Sequence, residues 1–237
     1  MTFRLIAFDA DDTLWHNETM FQSVERQLAE LLRDYHPEDW VRARLLATET
    51  KNLAQFGYGI KGFTLSMIET AIELTEGRIG GREIQQIIDW GRTMLMAPVQ
   101  LLDGVRETVT RLSRSHRLML LTKGDLFDQE SKLARSGIGE FFAAVEIVSE
   151  KNAQTYATIM RRHAVAPDEF LMVGNSLRSD ILPAIAAGGS AVHIPYVATW
   201  AHEHVDESTI HETFARLESI AELPDWLALQ GQAAQVR

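Results

Sequence analysis

Near the N-terminus a short apolar run, residues 3–8, stops abruptly at Asp9-Ala10-Asp11-Asp12-Thr13. A run this short, bounded by acidic and turn-forming residues, reads as a buried strand that presents several carboxylates at its C-terminal end. The pattern then changes. Met20, Phe21, Val24, Leu28, Leu31 and Leu32 recur at spacings of three and four, one face of a helix. Similar patterns over 40–56, 65–74 and 83–96 predict further helices, with a glycine-rich loop at Gly57-Tyr58-Gly59-Ile60-Lys61-Gly62 and no convincing strand.

After Pro98 strands alternate with helices. A helix is marked by Val105, Val109 and Leu112, and further helices are expected over 126–136, 156–163 and 181–187. Strands are expected over 118–121, 144–148, 170–173 and 191–194. Such alternation implies an α/β protein with a doubly wound parallel sheet and helices on both faces. The expected organisation is a core of residues 1–15 and 98–237, interrupted by an all-helical insert at 16–97. No internal repeat of fixed period is evident, and the tail after Gln230 reads as frayed.

Composition narrows the function classes. The 237 residues are long for one simple domain, and 46% apolar residues suffice for a real core. The absence of cysteine excludes disulfide frameworks, thiolate metal sites and a cysteine nucleophile. A net charge of −10 argues against broad nucleic-acid binding, although a cation can neutralise a site for small anions. No signal-peptide pattern opens the sequence. The longest stretch without formal charge, 181–201, is broken by Pro183, Gly188, Gly189 and Pro195, so no membrane span is expected. The reading is a soluble cytoplasmic protein.

In open α/β sheets ligands gather at the C-terminal strand ends. There the chain delivers Asp9-Ala10-Asp11-Asp12-Thr13, Thr122-Lys123-Gly124-Asp125, Glu150-Lys151-Asn152, and Gly174-Asn175-Ser176 followed by Asp180. This ordered set resembles the haloacid dehalogenase-like hydrolase superfamily, in its phosphatase branch. The resemblance rests on Asp9-x-Asp11-x-Thr13, Thr122, Lys151, and Gly174-Asn175 with Asp180. It implies a Rossmann-like core, and the insert looks like the helical cap of the first cap class.

An Asp carboxylate facing phosphorus can attack in line and form an aspartyl phosphate, the role assigned to Asp9. Asp11, two residues on, can donate a proton to the leaving oxygen and later take one from water. Hard oxygen ligands without cysteine favour Mg²⁺. The resemblance implies that this ion sits among the Asp9 carboxylate, the Asp11 backbone carbonyl and an acidic group of the fourth motif. It also implies that Thr122 and the backbone amides near Lys123 and Gly124 bind phosphoryl oxygens, with Lys151 as a fixed positive charge.

Many relatives carry Gly-Asp where this chain has Gly174-Asn175. Either Asp180 is the principal ligand or Asn175 ligates without contributing charge. The implied activity is Mg²⁺-dependent hydrolysis of a small phosphorylated metabolite. Two alternatives are a 2-haloacid dehalogenase, against which Asp11 counts, and a binding or regulatory protein with weakened turnover, for which Asn175 is the only support.

Lys61, on its glycine-rich loop, is a candidate anion contact. Trp15 and His16 read as packing near the first motif, Met94 and Met96 as core filling, and His202-Glu203-His204 as a solvated loop. Neither the physiological substrate nor the oligomeric state is legible.

Overall fold

The structure, a computed structural model, describes residues 3–235. Strands β1 (Leu5–Phe8), β2 (Arg117–Lys123), β3 (Ala144–Val148), β4 (Phe170–Gly174), β5 (Ser190–His193) and β6 (Ala215–Arg216) form one parallel sheet in the order β3-β2-β1-β4-β5-β6. Ile6 of β1 lies level with Leu118 on one side and Leu171 on the other. The strand order reverses between β1 and β4, and such a switch point leaves a crevice beyond the strand ends where ligands bind. The sheet confirms the expected α/β fold. β2 runs further than expected and includes Thr122 and Lys123, and the two-residue β6 has no counterpart among the expected strands.

The chain divides into two compact units. One contains the sheet and comprises, among the described residues, 3–16, Val99–Lys123 and 130–235. The other is Asn17–Pro98 together with Gly124–Gln129.

In this second unit lie α1 (Glu18–Leu31), α2 (Glu38–Phe56), α3 (Ile60–Leu74) and α4 (Gly81–Met96), and residues 17–98 contain no strand. Val24, Leu28, Val41, Leu45, Phe63, Met67, Ile87 and Met94 fill its own core. The expected six-residue loop shrinks, because α3 starts at Ile60 and Lys61 stands in its first turn. Gly59, at φ +106°, makes the turn into that helix, and Gly62 packs so close to the Gly57 carbonyl that a Cβ would come within 2.8 Å. Met94 is buried as expected, but Met96 is 73% exposed. Two positions along a helix are not on one face, so the pair cannot both fill the core.

With the sheet go α5 (Val105–Leu112), α6 (Leu126–Ser136) from Glu130 onward, α7 (Ala153–Arg162), α8 (Leu182–Ala186) and α9 (Leu223–Gln235). Alternation in β1 sends Leu5 and Ala7 to one face, among Met119, Leu121, Tyr156, Ile159 and Met172. Ile6 and Phe8 go to the other, among Val105, Val109, Leu120, Val173 and Leu223. Both faces being covered explains why the strand reads as an unbroken apolar run. Each buried Leu, Ile, Val, Phe or Met among them contributes roughly 1.5–3 kcal/mol by leaving water. The tail expected to fray after Gln230 instead continues α9 to Gln235, and residues 236–237 lie outside the described residues. Among the described residues no helix is long and apolar enough to cross a membrane.

Candidate active site

The Asp9 amide donates to the Val173 carbonyl at 2.9 Å, which fixes the first residue beyond β1 against β4. The chain then turns sharply. Asp12 takes φ +62°, its amide donates to the Trp15 carbonyl at 2.7 Å, and the Leu14 amide returns to the Ala10 carbonyl at 2.8 Å. A left-handed aspartate is uncommon, and here it turns Thr13 back toward the strand end.

Thr13 joins the two central strand ends. Its hydroxyl accepts from the Asn175 amide at 3.1 Å, and its proton lies within reach of Asp9 Oδ2 at 3.2 Å and Asn175 Oδ1 at 3.1 Å. Lys151, reaching in from the loop after β3, has its side chain only 1% exposed and places Nζ 2.5 Å from Asp9 Oδ1 and 2.7 Å from Asp180 Oδ1. The other Asp180 oxygen accepts the Ser176 amide at 3.0 Å. Asp9, Thr13, Lys151, Asn175 and Asp180 thus meet in one cluster at the switch point.

Asp180 does not stand in a regular helix as expected. A single π-helical turn, Leu177–Ile181, precedes α8, and Ser176 caps it by accepting the Ser179 amide at 3.0 Å. Gly174 is required by this arrangement, since a Cβ there would lie 2.2 Å from Asp180 Oδ2 and 2.4 Å from its Cγ. Gly174→Ala is therefore expected to displace Asp180 from Lys151, lowering both the melting temperature and any turnover. A variant with wild-type stability and rate would show that the Asp180 position is not needed.

Burial is the main force pushing the Asp9 carboxyl up from 3.8 to about 7. Lys151 opposes the rise, and the Asp180 and Asp11 charges add to it. The Lys151 ammonium rises as well, because Asp180 and Asp9 together outweigh its burial. The cluster holds more negative charge than one lysine offsets, an arrangement that favours an added cation.

The Asp11 carboxylate points elsewhere. Lys132 of α6 approaches its two oxygens at 3.0 and 3.2 Å, and the Trp15 indole N–H donates to Oδ1 at 2.6 Å. Sequence reasoning missed Lys132, whose side chain is buried here but looks like any lysine on an amphipathic helix. Trp15 packs in the core as expected, and its polar edge serves Asp11 too. His16 meets the Tyr196 hydroxyl at 2.7 Å.

Thr122 is buried at the end of β2, and its hydroxyl donates to the Lys123 carbonyl at 3.3 Å. The Lys123 ammonium reaches the Ser179 hydroxyl at 2.8 Å and Glu203 at 2.5 Å. Glu203, expected in a solvated loop, is instead partly buried beside Ser176 and Ser179. Burial pushes its carboxyl up, but the Lys123 charge and the bonds from Lys123, Ser176 and Ser179 hold it at about 2. Gly124 and Lys61 belong to the helical unit, where the Lys61 ammonium contacts both Asp125 oxygens at 2.9 and 3.0 Å.

Among the described residues no three His, Cys, Asp or Glu side chains gather as a ready-made metal cage. The donors nonetheless suit Mg²⁺, which commonly uses one or two carboxylates and takes the rest of its shell from carbonyls, water and substrate phosphate. Asp9 and Asp180 share one ammonium, and the Asn175 side-chain oxygen meets the same threonine as Asp9.

A family model for haloacid dehalogenase-like hydrolases matches residues 3–188, and the chain belongs to that family of enzymes. N-acylneuraminate-9-phosphatase of Mus musculus is 26% identical over 197 residues, spanning 78% of this chain and 79% of the mouse protein. Glyceraldehyde 3-phosphate phosphatase of Methanothermobacter thermautotrophicus is 33% identical over 121 residues, 48% of this chain and 53% of that protein. A solved haloacid dehalogenase-like family hydrolase from Xanthomonas campestris superposes with a TM-score of 0.87 at 41% identity, covering 100% of this chain and 95% of the other. A 2-haloacid dehalogenase from Pseudomonas syringae pv. Tomato, at 20% identity and a TM-score of 0.64 over 97% of this chain and 100% of its own, shares the fold.

Proposed function

We propose that this hydrolase is a Mg²⁺-dependent phosphatase of small phosphorylated compounds, working through an aspartyl phosphate on Asp9. The observation that carries the reading is the buried Asp9 carboxylate at the switch point, with one oxygen against Lys151 and a second acid, Asp11, two residues on. The phosphatase names of the curated relatives support it.

An Asp9 oxygen attacks phosphorus, forming an O–P bond as the ester oxygen departs with a proton from Asp11. Asp11 then takes a proton from water, which attacks the phosphoenzyme and releases inorganic phosphate and Asp9. Asp11 leaves its contact with Lys132 to serve both steps, while Lys151 stays fixed as a positive charge beside the transferring group. Thr122, with the amides of Lys123 and Gly124, binds phosphoryl oxygens. The residues that would hold Mg²⁺ are Asp9, Asp11 through its backbone carbonyl, and Asp180 or Asn175, and the ion would supply Lewis-acid polarisation of the phosphoryl group. The helical insert is assigned the part of a cap that selects the substrate.

The test is phosphate release from a generic aryl phosphate, then from a panel of phosphorylated metabolites. Release that requires Mg²⁺ and stops with a chelator is expected. Halide release from 2-haloacids, with no phosphate from any ester, would overturn the reading. The fourth-motif ligand is tested separately: Asn175→Asp adds a charge and is expected to tighten Mg²⁺ in calorimetry. Unchanged or weaker binding would count against Asn175 as a ligand.

A further inference from the structure

We propose that Glu203, in the loop after β5 and outside all four motifs, is a positioning residue that holds the Asn175-to-Asp180 loop in its working shape. The proposal rests on the phosphatase reading above and adds a part to that site. The Glu203 side chain is 11% exposed and collects three donors: Lys123 Nζ at 2.5 Å, Ser176 Oγ at 2.5 Å and Ser179 Oγ at 2.6 Å. These come from the end of β2 and from the loop after β4, so one carboxylate ties two sheet ends together.

From Glu203 the bonding continues without a break to the nucleophile. Ser176, gripped through its hydroxyl, donates its amide to Asp180 Oδ2 at 3.0 Å. Asp180 Oδ1 takes Lys151, and Lys151 holds Asp9. The π turn between Ser176 and α8 is a rare geometry, found mostly as single turns at functional sites. Ser176 and Ser179, bound to the same Glu203 oxygen, bracket that turn's first residues. Glu203 itself touches none of Asp9, Lys151 or Asp180 in these bonds, so it acts through the serines.

A lesser role would also place this glutamate here: serving only as counter-charge to Lys123, whose side chain is 16% exposed. Wild type, Glu203→Gln and the double variant Lys123→Met/Glu203→Gln separate the two. Each is measured for kcat and KM on an aryl phosphate, for Mg²⁺ binding by calorimetry, and for melting temperature. Glu203→Gln is expected to lower Mg²⁺ affinity and kcat by about 10–100-fold, the usual effect of losing a group that orients ligands, with a smaller change in KM.

The double variant removes the ammonium that Glu203→Gln strands, so its melting temperature is expected to recover while Mg²⁺ affinity and kcat do not. Wild-type affinity and kcat in Glu203→Gln would overturn the proposal. So would recovery of both in the double variant, which would make Glu203 the counter-charge of Lys123 and nothing more. Wild type that releases no phosphate from any ester defeats the phosphatase reading instead, and the Mg²⁺ calorimetry still decides the positioning role.

Discussion

Asp9→Asn is expected to abolish phosphate release, by about 10⁴-fold or more as for other enzymes stripped of a nucleophile, while the protein still folds. The amide keeps the shape of the carboxylate, so its oxygen can still accept from Lys151 and its nitrogen can donate to Thr13. An amide nitrogen or oxygen in that place cannot form the aspartyl phosphate. Stability moves the opposite way from activity.

The folded Asp9 carboxyl lies at about 7 against 3.8 for the isolated group, chiefly because of burial, so the native state binds the proton more tightly than the unfolded chain does. Its contribution is complete below 3.8 and is lost as pH rises through about 7. In metal-chelated buffer the melting temperature of Asp9→Asn is therefore expected to gain on wild type as pH climbs from 4 to 8. Calorimetric scans across that window test it, and a difference that shrinks with rising pH would contradict the assigned cause.

Lys151→Met is expected to have the next largest effect. The substitution keeps most of the volume but removes the ammonium between Asp9 and Asp180, leaving two carboxylates facing each other in a site where both are nearly sealed from water. Breaking a buried ion pair by deleting one partner costs about 3–5 kcal/mol. In a chain of this size that is a fall of roughly 6–20 °C in melting temperature. Mg²⁺ is expected to restore part of the stability by supplying positive charge, whereas the rate stays down by about 10²–10³-fold for want of the fixed charge. Equal stability to wild type in metal-free buffer would mean that the carboxylates do not depend on Lys151.

Much of this arrangement is readable from the sequence because its signals are local. An apolar run that ends in Asp9-x-Asp11-x-Thr13 specifies both the strand and what it delivers, and five strands declare themselves by apolar runs bounded by turn residues. The two residues of β6 carry no periodicity, and the π turn before α8 looks like an ordinary helix start. The charged residues misread or missed owe their placement to distant partners. Lys123 and Glu203 are 80 positions apart, and Lys132 and Asp11 are 121 apart, so nothing beside either residue marks it as paired. The place of Lys61 is hidden for a local reason: a cluster of glycines looks like a loop, yet the helix starts as soon as Gly59 has made its turn.

The most direct measurement is to mix the enzyme with a radiolabelled phosphate ester and Mg²⁺, quench in acid within one turnover, and locate the label by peptide mapping. Label on Asp9, absent from Asp9→Asn, is the expected result. Label on another residue, or steady phosphate release with no labelled protein at any time, would contradict covalent catalysis by Asp9.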